Sequence, residues 1–148
     1  MSADEILVTA AEAQGIVDRA LAYRAEQGFN PMTVAVLDLG GRPILVKRED
    51  GCGFLRVDIA IGKANGALGF GLNSRALAER AELLPNFMAA VASLAPGGVV
   101  PAAGGILLRP GPDGRVVGAV GVSGDTSDND EACVVHALRG TRFADDGH

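Results

Sequence analysis

Apolar residues return every three or four positions from Ala13 onward, at Ile16, Val17, Ala20 and Leu21, while Asp18, Arg19 and Arg24 fall largely off that stripe. This is the mark of a helix that buries one side. Thr9 stands before it with Glu12 three places on, a capping box in which each side chain can satisfy an amide that the helix leaves free. Gly28 ends the helix. Beyond the turn at Asn30 and Pro31 comes an unbroken run, Thr33-Val34-Ala35-Val36-Leu37, whose β-branched content predicts a largely buried strand. Asp38-Leu39-Gly40-Gly41 is turn chemistry, so Arg42 to Arg48 is the returning antiparallel strand, with Pro43 near its start.

Helical spacing resumes between Phe54 and Phe70, through Val57, Ala60, Ile61, Ala64, Ala67 and Leu68, despite Gly62, Gly66 and Gly69. Each interior glycine costs about 1 kcal/mol relative to alanine, so close packing on a sheet or a nearby ligand must offset it. Ser74 starts a third helix through Glu82, and a short fourth follows Pro85 with Phe87, Met88, Val91 and Leu94 apolar; both read as sheet-covering pieces. Pro96-Gly97-Gly98 and Gly104-Gly105 bracket a loop. Ile106 to Leu108 opens a second hairpin, closed by Pro110 to Gly114, and Val116 to Val122 is its return strand. A last helix carries Ala132, Val135, His136 and Leu138 on one face, with Asp128 and Glu131 as its cap arrangement. Two hairpins cannot be joined by right-handed crossovers throughout, so the sheet is mainly antiparallel and not doubly wound.

The 148 residues suffice for a single α/β domain, assigned to 8–140, after a lead at 1–7 and before a flexible tail at 141–148. An apolar content of 48% and a mean hydropathy of +0.24 exclude a disordered chain. The net charge is −5 and no basic stripe is present, which argues against nucleic acid as a partner. The 21 glycines are about twice the usual share, so small residues must organise the packing, and subunit association into a homo-oligomer would supplement so modest a core. Cys52 and Cys133 are the two cysteines, too few and too far apart for a disulfide scaffold or a CxxC metal site. The start lacks a basic leader, and no run of about 20 apolar residues occurs. A cytoplasmic protein without a membrane span is the expectation.

Nucleotide motifs fail on spacing. Gly62-Lys63 is followed by Ala64 and lacks the upstream glycine of a Walker A loop, while Arg56 stands where Gly51-Cys52-Gly53 would need its third glycine. The order of three other segments is informative: Val34-Ala35-Val36-Leu37-Asp38-Leu39-Gly40-Gly41, then Asp58-Ile59-Ala60-Ile61-Gly62-Lys63-Ala64, then Val117 to Gly124 followed by Asp130-Glu131-Ala132. From about residue 8 to 140 the chain resembles the GlcG/HbpS-like family, also known as the haem-degrading or DUF336 family. The resemblance implies an α/β fold with a five-stranded, mainly antiparallel sheet flanked by helices, usually assembled into oligomers. Members are associated with haem binding or degradation, with glycolate-utilisation operons, and with a domain attached to some corrinoid adenosyltransferases.

Haem therefore enters as a candidate cofactor. It needs an axial His, Cys, Met or Tyr, an apolar pocket, and cations near its propionates. The only histidines are His136 and His148; His136 is the candidate ligand, against the plainer reading of a hydrogen-bonded core histidine, and Tyr23, Met32 and Met88 read as packing. Arg56 and Lys63 can hold a carboxylate, one as a bidentate fork and the other as a compact charge, and the Gly98 to Gly105 loop can shape the pocket. Lys63, set among small residues, is the foremost functional candidate; the bland alternative is a solvated charge or an ion pair. Asp125, Asp130 and Glu131 border the last helix, where capping explains much of their acidity; facing Lys63, they could accept a proton. Their spacing matches no metal signature, so no metal is assigned. Serine or cysteine hydrolysis lacks both a nucleophile elbow and a nearby histidine.

Two functions follow. The first is a small-molecule or cofactor-binding protein, haem among its candidate ligands, with an anionic-ligand pocket that uses Arg56, Lys63, Gly98, Gly105 and His136. The alternative is a small catabolic enzyme acting on an organic acid through Lys63, Asp125 and Glu131. Both require the central helix to lie close enough to the sheet for Lys63 to meet the acidic start of the last helix.

Overall fold

Thr9 Oγ1 accepts the Glu12 amide while Glu12 Oε1 accepts the Thr9 amide, both at 3.0 Å, and this closed box starts α1, Ala10–Gln27. Gly28 stops it by adopting a left-handed φ of 70°. The structure is a computed structural model that describes residues 7–111 and 114–143. The lead through residue 6, the turn residues Pro112 and Asp113, and the tail from Ala144 to His148 lie outside the described residues.

The strands are β1 (Thr33–Asp38), β2 (Pro43–Arg48), β3 (Gly105–Leu108) and β4 (Gly118–Ser123), paired antiparallel throughout in the order β2-β1-β4-β3. The sheet thus has four strands among the described residues, not the five that the family resemblance implied. The glycine-rich stretch before β3 ties to α2 along most of its length and reaches a strand only at Gly104, whose carbonyl accepts the Val122 amide. Val100 donates its amide to Gly62 O at 3.1 Å, and the Asn65 side chain donates to Pro96 O and Gly98 O, each at 2.8 Å.

Five helices are described: α1, α2 (Leu55–Phe70), α3 (Ser74–Leu83), α4 (Pro85–Leu94) and α5 (Ser127–Leu138). Strand alternation sorts the core. Val34, Val36, Val120, Val122, Ile106 and Leu108 face α1 and α5 in the main cluster, whereas Leu37, Leu107 and Ala119 meet Ala64 and Ala67 of α2. The α2 face is built for contact without side-chain cushioning. A Cβ on Gly121 would stand 1.9 Å from Ala60 O, and one on Gly105 would stand 2.4 Å from Lys63 O. The interior glycines of α2 divide by cause: a Cβ on Gly62 would meet Val100 at 2.7 Å and one on Gly66 would meet Val99 at 3.0 Å, but nothing in the structure explains Gly69.

Three expectations change. First, α4 packs on α3 and makes no set of contacts with any strand, so it is not a sheet-covering piece; it buries Met88 but leaves Phe87 and Leu94 exposed. Second, α5 is capped by Thr126, whose hydroxyl accepts the Asn129 amide at 3.2 Å, instead of by Asp128 with Glu131. Its buried face is Asp130, Cys133, Val134, Ala137 and Leu138, rotated from the one that the apolar spacing indicated. Third, the chain stays packed beyond Gly140 as far as Phe143, which is 1% exposed, and Arg142 pairs with Glu12 at 2.6 Å.

Candidate functional site

Because α2 rests directly on the glycines of β3 and β4, a long side chain on its inner surface must run between the layers. Lys63 does so and is 2% exposed. Its Nζ donates to Val122 O at 2.9 Å and to Asp130 Oδ2 at 3.1 Å. Gly104 crosses above with φ 127°, and a Cβ there would lie 3.0 Å from Nζ. The positive φ and the close approach both demand glycine at this position.

Asp130 comes from the first turn of α5, whose amide end favours a carboxylate. Its second oxygen accepts the Asp125 amide at 2.9 Å, so the carboxylate fastens the β4–α5 turn as well as the ammonium. Burial pulls the Lys63 ammonium below its ordinary range, against the attraction of Asp130. Burial likewise pushes the Asp130 carboxyl up, against the Asp125 amide and Lys63. The pair is internal, with its hydrogen bonds directed to protein groups.

Lys63 therefore reaches the acidic start of α5 through Asp130, and not through Asp125 or Glu131. The Asp125 carboxylate accepts the Asn30 and Thr126 amides, both at 2.8 Å, and the Asn129 side chain at 2.7 Å. These bonds, the one from Asn30 foremost, hold it below the usual carboxylate range. Glu131 binds Arg75 Nε at 3.0 Å, on an exposed ion pair that Asp128 shares. Arg56 lies at the start of α2 and donates to Ser123 Oγ at 3.1 Å; its charge acts on both Lys63 and Asp125. Gly98 offers its carbonyl to Asn65, and the Gly105 amide donates to Ser74 Oγ at 2.7 Å. His136 stands in the α1–α5 layer, stacked on Tyr23 with ring centroids 4.2 Å apart, and its buried Nδ1 has no hydrogen-bond partner among the described residues.

The sequence offers Asp130 as one of three acids able to face Lys63 but gives the catalytic role to Asp125 and Glu131, whereas it is Asp130 that meets the ammonium. Its signal is phase: position 130 is in step with the buried residues at 133, 134, 137 and 138, and a charge on an apolar stripe calls for a buried partner.

Cavities on the described surface include three that bear on the site. One of about 410 Å³ lies between the β1–β2 turn, the C-terminal half of α2 and the end of α4, with Leu39, Asn65, Leu68, Phe70, Val91 and Val99 on its walls. A recess of about 230 Å³ adjoins Arg75, Glu79 and Glu131, and a groove of about 450 Å³ runs between α1 and Thr141 to Phe143. None of the three is lined by Arg56, Lys63, Asp125 or His136, nor by any His, Cys, Met or Tyr. Burial pushes the Cys133 thiol up to about 12, and Met32 is fully enclosed. These cavities do not fit a haem held through its iron. Among the described residues no group of three or more His, Cys, Asp or Glu could hold a metal ion, and no helix is long and apolar enough to cross a membrane.

A family model described as haem degrading protein HbpS-like matches residues 8–139. An HbpS double mutant from Streptomyces reticuli is 26% identical, with a TM-score of 0.75 over 88% of this chain and 84% of that one. Klebsiella pneumoniae protein ORFY, a DUF336 protein, is 25% identical, with a TM-score of 0.76 over 88% of each chain. A haem complex of PduOC shares the fold at 20% identity, with a TM-score of 0.79 over 90% of this chain and 94% of that one. No curated protein matches the chain in sequence.

Proposed function

The chain belongs to the HbpS-like family of haem-degrading proteins, and from that premise we propose that it is a small-molecule or cofactor-binding protein, with haem as its candidate cofactor. The observation that carries this reading is the likeness to HbpS in sequence and fold together, over most of both chains. Residues 8–140 form the binding domain. Arg56 at the start of α2 is the candidate partner for an anionic group, since a guanidinium can grip a carboxylate with two parallel hydrogen bonds. The internal position of Lys63 supports a role in building the site, and His136 remains the histidine available on a described element.

Binding is favoured over turnover. An acid–base catalyst has to reach the proton it moves, whereas Lys63 is 2% exposed and is engaged by Val122 and Asp130. Asp125 and Glu131, the other members of the enzymatic alternative, are occupied by turn amides and by Arg75 respectively. Leu83, Leu84, Phe87 and Leu94, each more than half exposed on or beside α3 and α4, support a homo-oligomer because so much exposed apolar surface tends to seek cover. Both cysteines are free thiols, in keeping with a reducing cytoplasm.

Haem titration followed by absorbance, with native mass spectrometry of the freshly purified protein, tests the proposal. A saturable spectral change, weakened several-fold in Arg56→Ala with the same subunit count, is expected. Haem that alters neither absorbance, thermal stability nor elution volume would reject the haem assignment.

A further inference from the structure

Haem aside, the 410 Å³ cavity between the β1–β2 turn, α2 and α4 has a chemical character of its own. Its walls carry no charged residue. Leu39, Leu68, Phe70, Val91 and Val99 supply an apolar body, and Asn65 is the single polar side chain on the lining. Both N–H groups of the Asn65 side chain are spent, one on Pro96 O and one on Gly98 O, at 2.8 Å each. That fixes which way the amide faces, because reversing it would put its oxygen against two carbonyls. Oδ1 is left toward Gly41, also on the lining, where a Cβ would stand 2.8 Å from it. Two backbone donors of the turn are used as well: Gly40 gives its amide to Asp38 Oδ1 and Gly41 gives its amide to Asp38 O.

The polar side-chain chemistry of this cavity is thus an oriented acceptor, with no cation on the walls and the Gly40 and Gly41 amides already committed. An anion entering it would lose water and gain no positive partner. A neutral molecule with an apolar body and one hydroxyl would bury the body and donate to Asn65. The volume falls within the range of small-molecule sites. We infer that this cavity binds a compact neutral organic ligand bearing a hydroxyl donor, of the phenol or aliphatic-alcohol class, and that it rejects carboxylates, haem propionates included. The inference rests on the reading of the chain as a small-molecule binder and assigns that binder a second, uncharged ligand class.

The test is a titration of the full chain with phenol, toluene and benzoate, followed by NMR of the Leu and Val methyls and of the Asn65 side-chain amide. Phenol should move the Leu68, Val91, Val99 and Asn65 signals saturably. Toluene should bind several-fold more weakly for want of the hydroxyl, and benzoate should leave those signals in place. Val91→Trp, at a half-buried wall position, should abolish the phenol shifts; Ala95→Phe fills the same space should that variant melt early. Benzoate binding as tightly as phenol, toluene equal to phenol, or phenol shifts that survive the filled cavity would each overturn the inference. Haem titrated into the cavity-filled variant separates the two readings. Haem binding without phenol binding to the wild type rejects this inference alone, whereas phenol binding without haem binding rejects only the haem assignment.

Discussion

Replacing Lys63 by methionine keeps the side chain's unbranched stem, one atom shorter, but leaves Asp130, 1% exposed, without its ammonium. The Asp125 amide still reaches the carboxylate, while Val122 O loses its side-chain donor. Removing one partner of a buried pair costs about 3–5 kcal/mol because the remaining charge is uncompensated. For a chain of this size that corresponds to a fall in Tm of roughly 6–20 °C. Asp130→Asn should cost a similar amount by stranding the ammonium. The double variant, Lys63→Met with Asp130→Asn, removes both charges while the Asn carbonyl can still take the Asp125 amide. It should therefore melt above either single variant, having regained roughly 2 kcal/mol of the loss. The assay is urea and thermal unfolding of all four proteins, read as a double-mutant cycle. If the two losses add, so that the double variant is the least stable of the four, a stranded buried charge is not what destabilises the single variants.

Gly121→Ala places a methyl 1.9 Å from Ala60 O, against backbone that cannot swing aside; α2 must lift, and a loss of at least about 3 kcal/mol, or failure to fold, should appear in denaturant titration. Thr9→Ala opens the capping box of α1 and should cost about 1 kcal/mol, read from the urea midpoint with unchanged slope. Glu12, held below the usual carboxylate range chiefly by Arg142, and Asp125, held down chiefly by the Asn30 amide, bind fewer protons folded than unfolded. Their contribution is complete above the ordinary carboxylate values of 4.5 and 3.8 and is lost as pH falls through the depressed ones, so Tm should drop on acidification. Glu12→Gln should flatten that profile, and an unchanged slope would refute the assignment.

Much of the architecture could be read from spacing because local chemistry set it. Thr9 with Glu12 placed the start of α1, the run from Thr33 placed β1, and the small residues of α2 predicted its close seat on the sheet. Lys63 stood out for the same reason: a long charged side chain on a stripe of glycine and alanine has little choice but to lie between layers. Its partner could not be singled out from Asp125 and Glu131 because the start of α5 carries several acids, and capping preferences treat them alike. Asp128 and Glu131 share the side that meets Arg75, whereas Asp130 points inward with Cys133 and Val134, and that rotation is set by packing on α1 and the sheet. The count of strands came from resemblance, not from the residues, whose own patterns indicate four strand segments. Gly69 remains without a packing cause.

The glycine seat of α2 makes the two sides of the sheet unequal in how they can vary over evolutionary time. Where Val34, Val36, Val120 and Val122 interdigitate with α1 and α5, aliphatic side chains can trade volume with their neighbours. At Gly105 and Gly121 main chain meets main chain, and there is no volume to trade. A saturation library of β4 beyond Gly118, itself closed by Leu37 O, should consequently show tolerance at Val120 and Val122 and a barren Gly121, the position facing the helix that carries Lys63.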